Sequence, residues 1–144
     1  MKIIKATKRD SNEISKIFLE ESNKKPYSQN YSPKTIKSRV KDMLNFGSIY
    51  LAITDKEITG FIAIAGEGKS NIYIDEFWIK KRYQRKGTGT EMLKFVQNKY
   101  KKKGAKSISV MTSKKAKAFR FYKKIGFQKN NDEIILNKKL KWQT

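Results

Sequence analysis

Chemistry concentrates in one short segment, Tyr83-Gln84-Arg85-Lys86-Gly87-Thr88-Gly89-Thr90, between a strand-like and a helix-like pattern. Glycines at 87 and 89 remove Cβ atoms where a ligand would approach the backbone. The first N–H groups of a helix are unpaired and lie at the positive end of its dipole, so a pyrophosphate fits there. Arg85 and Lys86 add charge beside the turn, and Lys80, Lys81 and Arg82 deepen the local field. The segment lacks the third glycine of Gly-x-Gly-x-x-Gly, since position 92 is Met, and it lacks Gly-x-x-x-x-Gly-Lys-Ser/Thr. On its own, the same pair of glycines would also serve merely to turn a strand into a helix.

The residue types available elsewhere narrow the chemistry. There is no histidine and no cysteine. Serine–histidine triads, cysteine nucleophiles, disulfides and thiolate metal sites are therefore excluded, and no metal is expected. Proton transfer has to use carboxylates, tyrosine, lysine, hydroxyls or backbone dipoles.

The elements that must position such groups follow from periodicity. Lys2–Ala6 reads as a short strand. Asp10 and Glu13 form a capping-box pattern ahead of Ile14, Ile17 and Phe18 at helical spacing. Asn23–Tyr31 reads as a loop. Ser32-Pro33 then opens a helix with Ile36, Val40, Met43 and Leu44 on one side. Ser48–Thr54, Ile58–Ala65 and Ile72–Ile79 are separated by short turns and predict an antiparallel meander. A helix bearing Met92, Leu93, Val96 and Tyr100 follows and closes at Gly104. Ser107–Thr112 predicts a strand, Lys114–Lys124 a helix stopped by Gly126, and Ile134–Trp142 a final strand. The order β-α-α-β-β-β-α-β-α-β(β) is an α/β (α+β) mixed sheet with helices on both faces.

With 144 residues, no linker and no repeat, the chain is expected to be one domain spanning residues 1–144. No run approaches the ~20 apolar residues that cross a bilayer, and the start lacks a signal-peptide pattern, so a soluble, cytoplasmic protein with no membrane partner is expected. The net charge of +21 would attract any polyanion. Lysine outnumbers arginine 29 to 5, however, which fits a solvated surface filled with lysine and only non-specific attraction for nucleic acid.

Two motifs carry a family resemblance. Gln84-Arg85-Lys86-Gly87-Thr88-Gly89 matches Gln/Arg-x-x-Gly-x-Gly/Ala, and Ala118-Phe119-Arg120-Phe121-Tyr122-Lys123-Lys124-Ile125-Gly126-Phe127 matches a downstream pattern of alanine, aromatic-Tyr, basic pair and Gly-Phe. In this order and spacing the sequence resembles the GNAT superfamily of acetyl-CoA-dependent N-acetyltransferases, over essentially the whole chain. The resemblance implies a GNAT-like fold and acetyl-CoA as cosubstrate. It places Arg85, Lys86, Gly87, Thr88, Gly89 and Thr90 at the pyrophosphate, and the backbone of Phe77, Trp78 and Ile79 along the pantetheine arm. It makes Tyr122 the acid for the leaving thiolate. Two departures stand out: Lys115 replaces a common asparagine, which either removes a polar contact to the cofactor or lets the lysine reach a CoA phosphate instead, and Lys81 replaces a common proline.

Acetyl transfer to an amine needs a neutral nitrogen, although a free alkyl amine has a pKa near ~10. A carboxylate, directly or through water, can take that proton. Asp75 and Glu76 are the candidates. Strand alternation sends them to opposite faces unless a bulge intervenes, and Asp75 shares parity with Tyr73 and Phe77, which puts Asp75 first. The fold resemblance places the acceptor against the two N-terminal helices and their loop, where Glu20, Glu21, Tyr27 and Tyr31 are candidates. The expected partners are thus acetyl-CoA and an amine on a small molecule or peptide, and a homodimer is compatible with the sequence. The alternative is a basic nucleic-acid-associated or CoA-binding protein of the same fold without transferase activity.

Overall fold

The computed structural model describes residues 1–141. Its elements are β1 (Lys2–Lys5), α1 (Ser11–Ser22), α2 (Pro33–Phe46), β2 (Ser48–Thr54), β3 (Glu57–Ala65), β4 (Asn71–Ile79), α3 (Thr88–Lys102), β5 (Ser107–Val110) and α4 (Lys117–Ile125). The strands form one sheet in the order β1-β2-β3-β4-β5, antiparallel except for the β4–β5 pair. The meander read from the sequence is present. Its first turn places Asp55 and Lys56 both at positive φ, the conformation of a tight two-residue hairpin.

Strand alternation divides the core into two layers. Ile49, Leu51, Phe61 and Ala63 face Ile14, Ile17 and Phe18 of α1 and Ile36, Val40 and Met43 of α2. Tyr50, Ala52, Ile62, Ile64, Ile72 and Ile74 face Met92, Leu93, Val96 and Tyr100 of α3 and Tyr122 of α4. α1 and α3 bury the stripes that their sequences predict, whereas Leu44 of α2 and Ala118, Phe121 and Ile125 of α4 are only partly buried; the sheet is covered on both faces. Among the described residues no helix is long and apolar enough to cross a membrane.

Three local expectations are corrected. The capping box sits one turn earlier, where Thr7 N donates to Asp10 Oδ2 at 2.8 Å; Asp10 makes no side-chain cap on α1. α4 begins at Lys117 rather than Lys114, because the chain from 114 to 116 turns before Ala116 takes the extended N-cap conformation. Residues 134–141 form no strand, and β5 pairs only with β4 among the described residues; Trp142 lies outside them. Ile134, Ile135 and Leu136 run consecutively instead of alternating, and they remain 62–86% exposed. No face of that segment is therefore selected for burial.

Candidate active site

In the β4–α3 connection the two glycines do different work. Gly87 is the N-cap of α3 in the left-handed region, φ 83°, and a Cβ there would meet nothing within 4 Å. The space before the helix start is open, and the amides of Thr88, Gly89 and Thr90 belong to the unpaired first turn. Gly89 instead permits packing, since a Cβ would lie 3.2 Å from Ile79 Cδ1 and 3.4 Å from Phe121 Cζ. Arg85, also left-handed at φ 60°, and Lys86 are exposed at the mouth, while Thr88 is buried. Lys115 is exposed, with its backbone N–H donating to Ser113 Oγ at 3.2 Å.

The basic cluster is smaller than its sequence suggests. Lys80 Nζ donates to Glu57 Oε1 at 2.8 Å, and Tyr83 Oη donates to Glu57 Oε2 at 3.0 Å, beside the Arg82 guanidinium on the same oxygen. These partners, Lys80 first, hold the Glu57 carboxyl down at about 2. Lys81, Arg85 and Lys86 form no ion pair among the described residues. Glu57 is thus ionised in the folded chain at pH values where it is protonated in the unfolded one. Its stabilising contribution is complete above pH about 4.5 and is lost as pH falls toward 2. Glu57→Gln should therefore melt below the parent at pH 6, and the gap should shrink between pH 4.5 and pH 2. Thermal melts of both chains across that range check this.

A bulge in β4 gives the two candidate carboxylates different surroundings. Ala63 pairs with Glu76 but Ile64 pairs with Ile74, so Asp75 is the extra residue. The extra residue reverses parity beyond it. Phe77 and Ile79 pack with the α3/α4 layer, and Trp78 packs with the α1/α2 layer. The expected kinship of Asp75 with Phe77 is therefore broken, and Asp75 is exposed. Glu76 is 14% exposed, with Oε2 accepting from Arg39 Nη2 at 2.6 Å and Oε1 accepting from Trp78 Nε1 at 2.8 Å. Burial raises the Glu76 carboxyl above its ordinary range, while the Trp78 indole and Arg39 oppose the rise.

Pairing of β4 with β5 stops at Ile74↔Val110, whereas β4 continues to Ile79 against β3 alone. Beyond the bulge the other backbone edge of Phe77, Trp78 and Ile79 has no strand partner among the described residues. Gln84 Nε2 donates to Ile79 O at 2.7 Å, tying the cradle to the end of that edge. Tyr122, on α4, is buried between Phe121 and Phe127. Burial, with Tyr27 and Glu76 nearby, pushes its phenol well above the usual tyrosine range, so it stays protonated.

The four acceptor candidates separate into two groups. The Tyr27 ring meets Trp78 edge-on at 4.8 Å and Tyr31 meets Phe18 at 5.8 Å, which brings both beside the Glu76 network. Glu21 is buried against Lys24 at 2.9 Å with Gln84 Nε2 at 3.4 Å, and exposed Glu20 lies 3.7 Å from the same lysine. This pair lines a mixed-charge cavity of about 340 Å³ with Lys16, Lys24, Lys80 and Lys81, apart from the two tyrosines. Sequence reasoning missed Arg39. Its one signal was compositional, one of five arginines in a chain with 29 lysines.

Comparison with known proteins agrees with this geometry. No curated protein matches the sequence. Among solved structures, a possible acetyltransferase from Clostridium difficile 630 superposes with a TM-score of 0.82 at 14% identity, covering 97% of this chain and 98% of its own. A predicted acetyltransferase from Clostridium acetobutylicum, solved with acetyl-CoA, gives 0.71 at 22% identity, covering 94% and 95%. The aminoglycoside enzyme AAC(6')-Iy, solved with the bisubstrate analog CoA-S-monomethyl-acetylneamine, gives 0.75 at 13% identity, covering 96% and 98%. Residues 7–143 match the Acetyltransferase (GNAT) domain. The cradle before α3, the one-sided end of β4 and the family match together place this chain in the GNAT acetyltransferase family.

Proposed function

We propose that the chain is an N-acetyltransferase that moves an acetyl group from acetyl-CoA to a primary amine of a small molecule or peptide. The observation that carries this reading is a single continuous arrangement. The left-handed Gly87 opens a helix start suited to a pyrophosphate, Gln84 links that turn to Ile79, and the one-sided β4 edge leads from there to Glu76 and Tyr122. Relatives of this fold solved with acetyl-CoA or a CoA-containing analog support the same cosubstrate. Arg85, Lys86 and the amides of Gly87 to Thr90 would hold the pyrophosphate, with Lys115 exposed on the approach to α4. The backbone of Phe77, Trp78 and Ile79 would pair with the pantetheine arm.

Acetyl-CoA supplies an activated thioester carbonyl, and the amine attacks it directly, forming C–N and breaking C–S. Glu76, rather than the exposed Asp75, takes the ammonium proton directly or through water. Tyr122 donates its proton to the departing thiolate and is reprotonated by the proton that the new amide nitrogen loses as the tetrahedral intermediate collapses. Tyr27 and Tyr31 form the aromatic side of the acceptor entrance, whereas Glu20 and Glu21 face their own cavity.

Because a thiolate has an ordinary pKa near ~8.5, its protonation is undemanding. Tyr122→Phe should therefore lower kcat by about tenfold to a hundredfold and leave acetyl-CoA binding within about twofold. The reading itself is tested by free-thiol release with a panel of amines, including spermidine, kanamycin and a lysine-bearing peptide. Release that depends on an added amine supports it. No release with any amine would leave a CoA-binding fold without transferase activity.

A further inference from the structure

Glu76 is gripped from two elements, and only one partner carries charge. From β4, Trp78 Nε1 donates to Oε1 at 2.8 Å. From α2, Arg39 Nη2 donates to Oε2 at 2.6 Å. The Arg39 guanidinium carbon also lies 5.5 Å from the Phe18 ring centroid and 5.9 Å from that of Tyr31. The other titratable groups near the carboxylate are Asp75 on β4 and Tyr122 on α4, with Tyr27 adjoining Tyr122 and Trp78. None of these three supplies a positive charge. A carboxylate largely removed from water tends to neutralise itself unless it is paired and hydrogen-bonded.

We propose that Arg39 is a positioning residue that acts through Glu76, fixing the orientation of its carboxylate and keeping it ionised so that it can accept the ammonium proton. The side chain is suited to this. A planar guanidinium can lie against the rings of Phe18 and Tyr31 and still direct an N–H at an oxygen, which the flexible ammonium of lysine does less well. The proposal rests on the reading of Glu76 as the base, and it adds the helix, α2, through which that base is controlled.

The test is a carbon-13 NMR titration of the full chain labelled at the glutamate carboxyls, with Glu76 assigned as the signal lost in Glu76→Gln. Arg39→Gln should raise the Glu76 midpoint by about one pH unit or more, the size expected when an opposite charge at contact distance is removed. Arg39→Lys should raise it less. The acidic limb of kcat/KM should move upward by the same amount, because the base works only when ionised. That displacement costs about tenfold in rate below the midpoint, recovers at higher pH, and leaves the KM for acetyl-CoA unchanged. Melting curves establish folding, and Arg39→Lys carries the comparison if Arg39→Gln does not fold. An unmoved midpoint in a folded variant overturns the role of Arg39, even where Glu76→Gln is inactive and the base reading survives. Full activity in Glu76→Gln overturns the base reading instead, and the role of Arg39 falls with it.

Discussion

Gly87→Glu should weaken acetyl-CoA binding by on the order of a hundredfold or more, as measured by isothermal titration. Two effects act together. A carboxylate at the N-cap of α3 would occupy the open space before the first-turn amides, where Gly87 now leaves nothing within 4 Å of its missing Cβ. Placed about 4 Å from a phosphate, it adds a repulsion on the order of a few kcal/mol in a partly solvated site. It would also neutralise part of the field set by Arg85 and Lys86. The second effect is local: φ at residue 87 is 83°, a conformation that costs a non-glycine residue about 1–2 kcal/mol. Gly87→Ala separates the two, since it carries the backbone cost without the charge. The alanine variant should bind acetyl-CoA much closer to the parent than the glutamate variant does. Equal losses in both would mean that loop conformation, and not the anion cradle, governs binding.

Glu76→Gln should lower kcat/KM by about a hundredfold to a thousandfold, the usual range for removing a positioned general base. Asp75→Asn should change it less than about threefold, because the bulge leaves Asp75 exposed. The sign of the pH dependence follows from burial. The Glu76 carboxyl lies above its ordinary range, so the parent should gain activity as pH rises through that raised value. Glu76→Gln should lack this acidic limb and keep its affinity for acetyl-CoA. A large loss in Asp75→Asn with a mild one in Glu76→Gln would reverse the assignment.

Much of this architecture is legible in the residues. Alternation in Ser48–Thr54 and Glu57–Ala65 fixes two sheet faces, and the stripes of α1, α2 and α3 identify what covers each. The helix start at Gly87 is visible because glycine, basic residues and a change of period coincide there. The bulge at Asp75 is not visible. Neither Asp75 nor its neighbours carry a local bulge signal, and the shift arises from pairing with β3 across the sheet. One inserted residue exchanges the faces of everything downstream, so the expected shared face of Asp75 and Phe77 is lost for a nonlocal reason.

The same holds for part of the charge. Glu20 and Glu21 read as acceptor contacts because they occupy the right helix, yet Lys24 one turn away pairs with both. Lys80 and Arg82 read as part of an anion site, but Glu57 from the neighbouring strand claims both. The Lys24 pairs sit at helical i,i+4 and i,i+3 spacing and are readable along the sequence, whereas the Glu57 pairs join residues 23 and 25 apart and arise from tertiary proximity. The strand expected over Ile134–Trp142 fails differently. Its residues favour extended chain, but a strand exists only with a partner, and the described part of this segment has none.

Whether the chain binds acetyl-CoA and transfers its acetyl group is decided by one calorimetric and colorimetric pair on the purified chain: acetyl-CoA titration, followed by thiol release in the presence of the amine panel. One acetyl-CoA should bind per chain, and free thiol should form mole for mole with acetylated amine. Gly87→Glu should bind acetyl-CoA on the order of a hundredfold more weakly and release correspondingly less thiol at subsaturating acetyl-CoA. Saturable acetyl-CoA binding that is equally strong in Gly87→Glu, or binding to the parent with no amine-dependent thiol release, would contradict the proposed function.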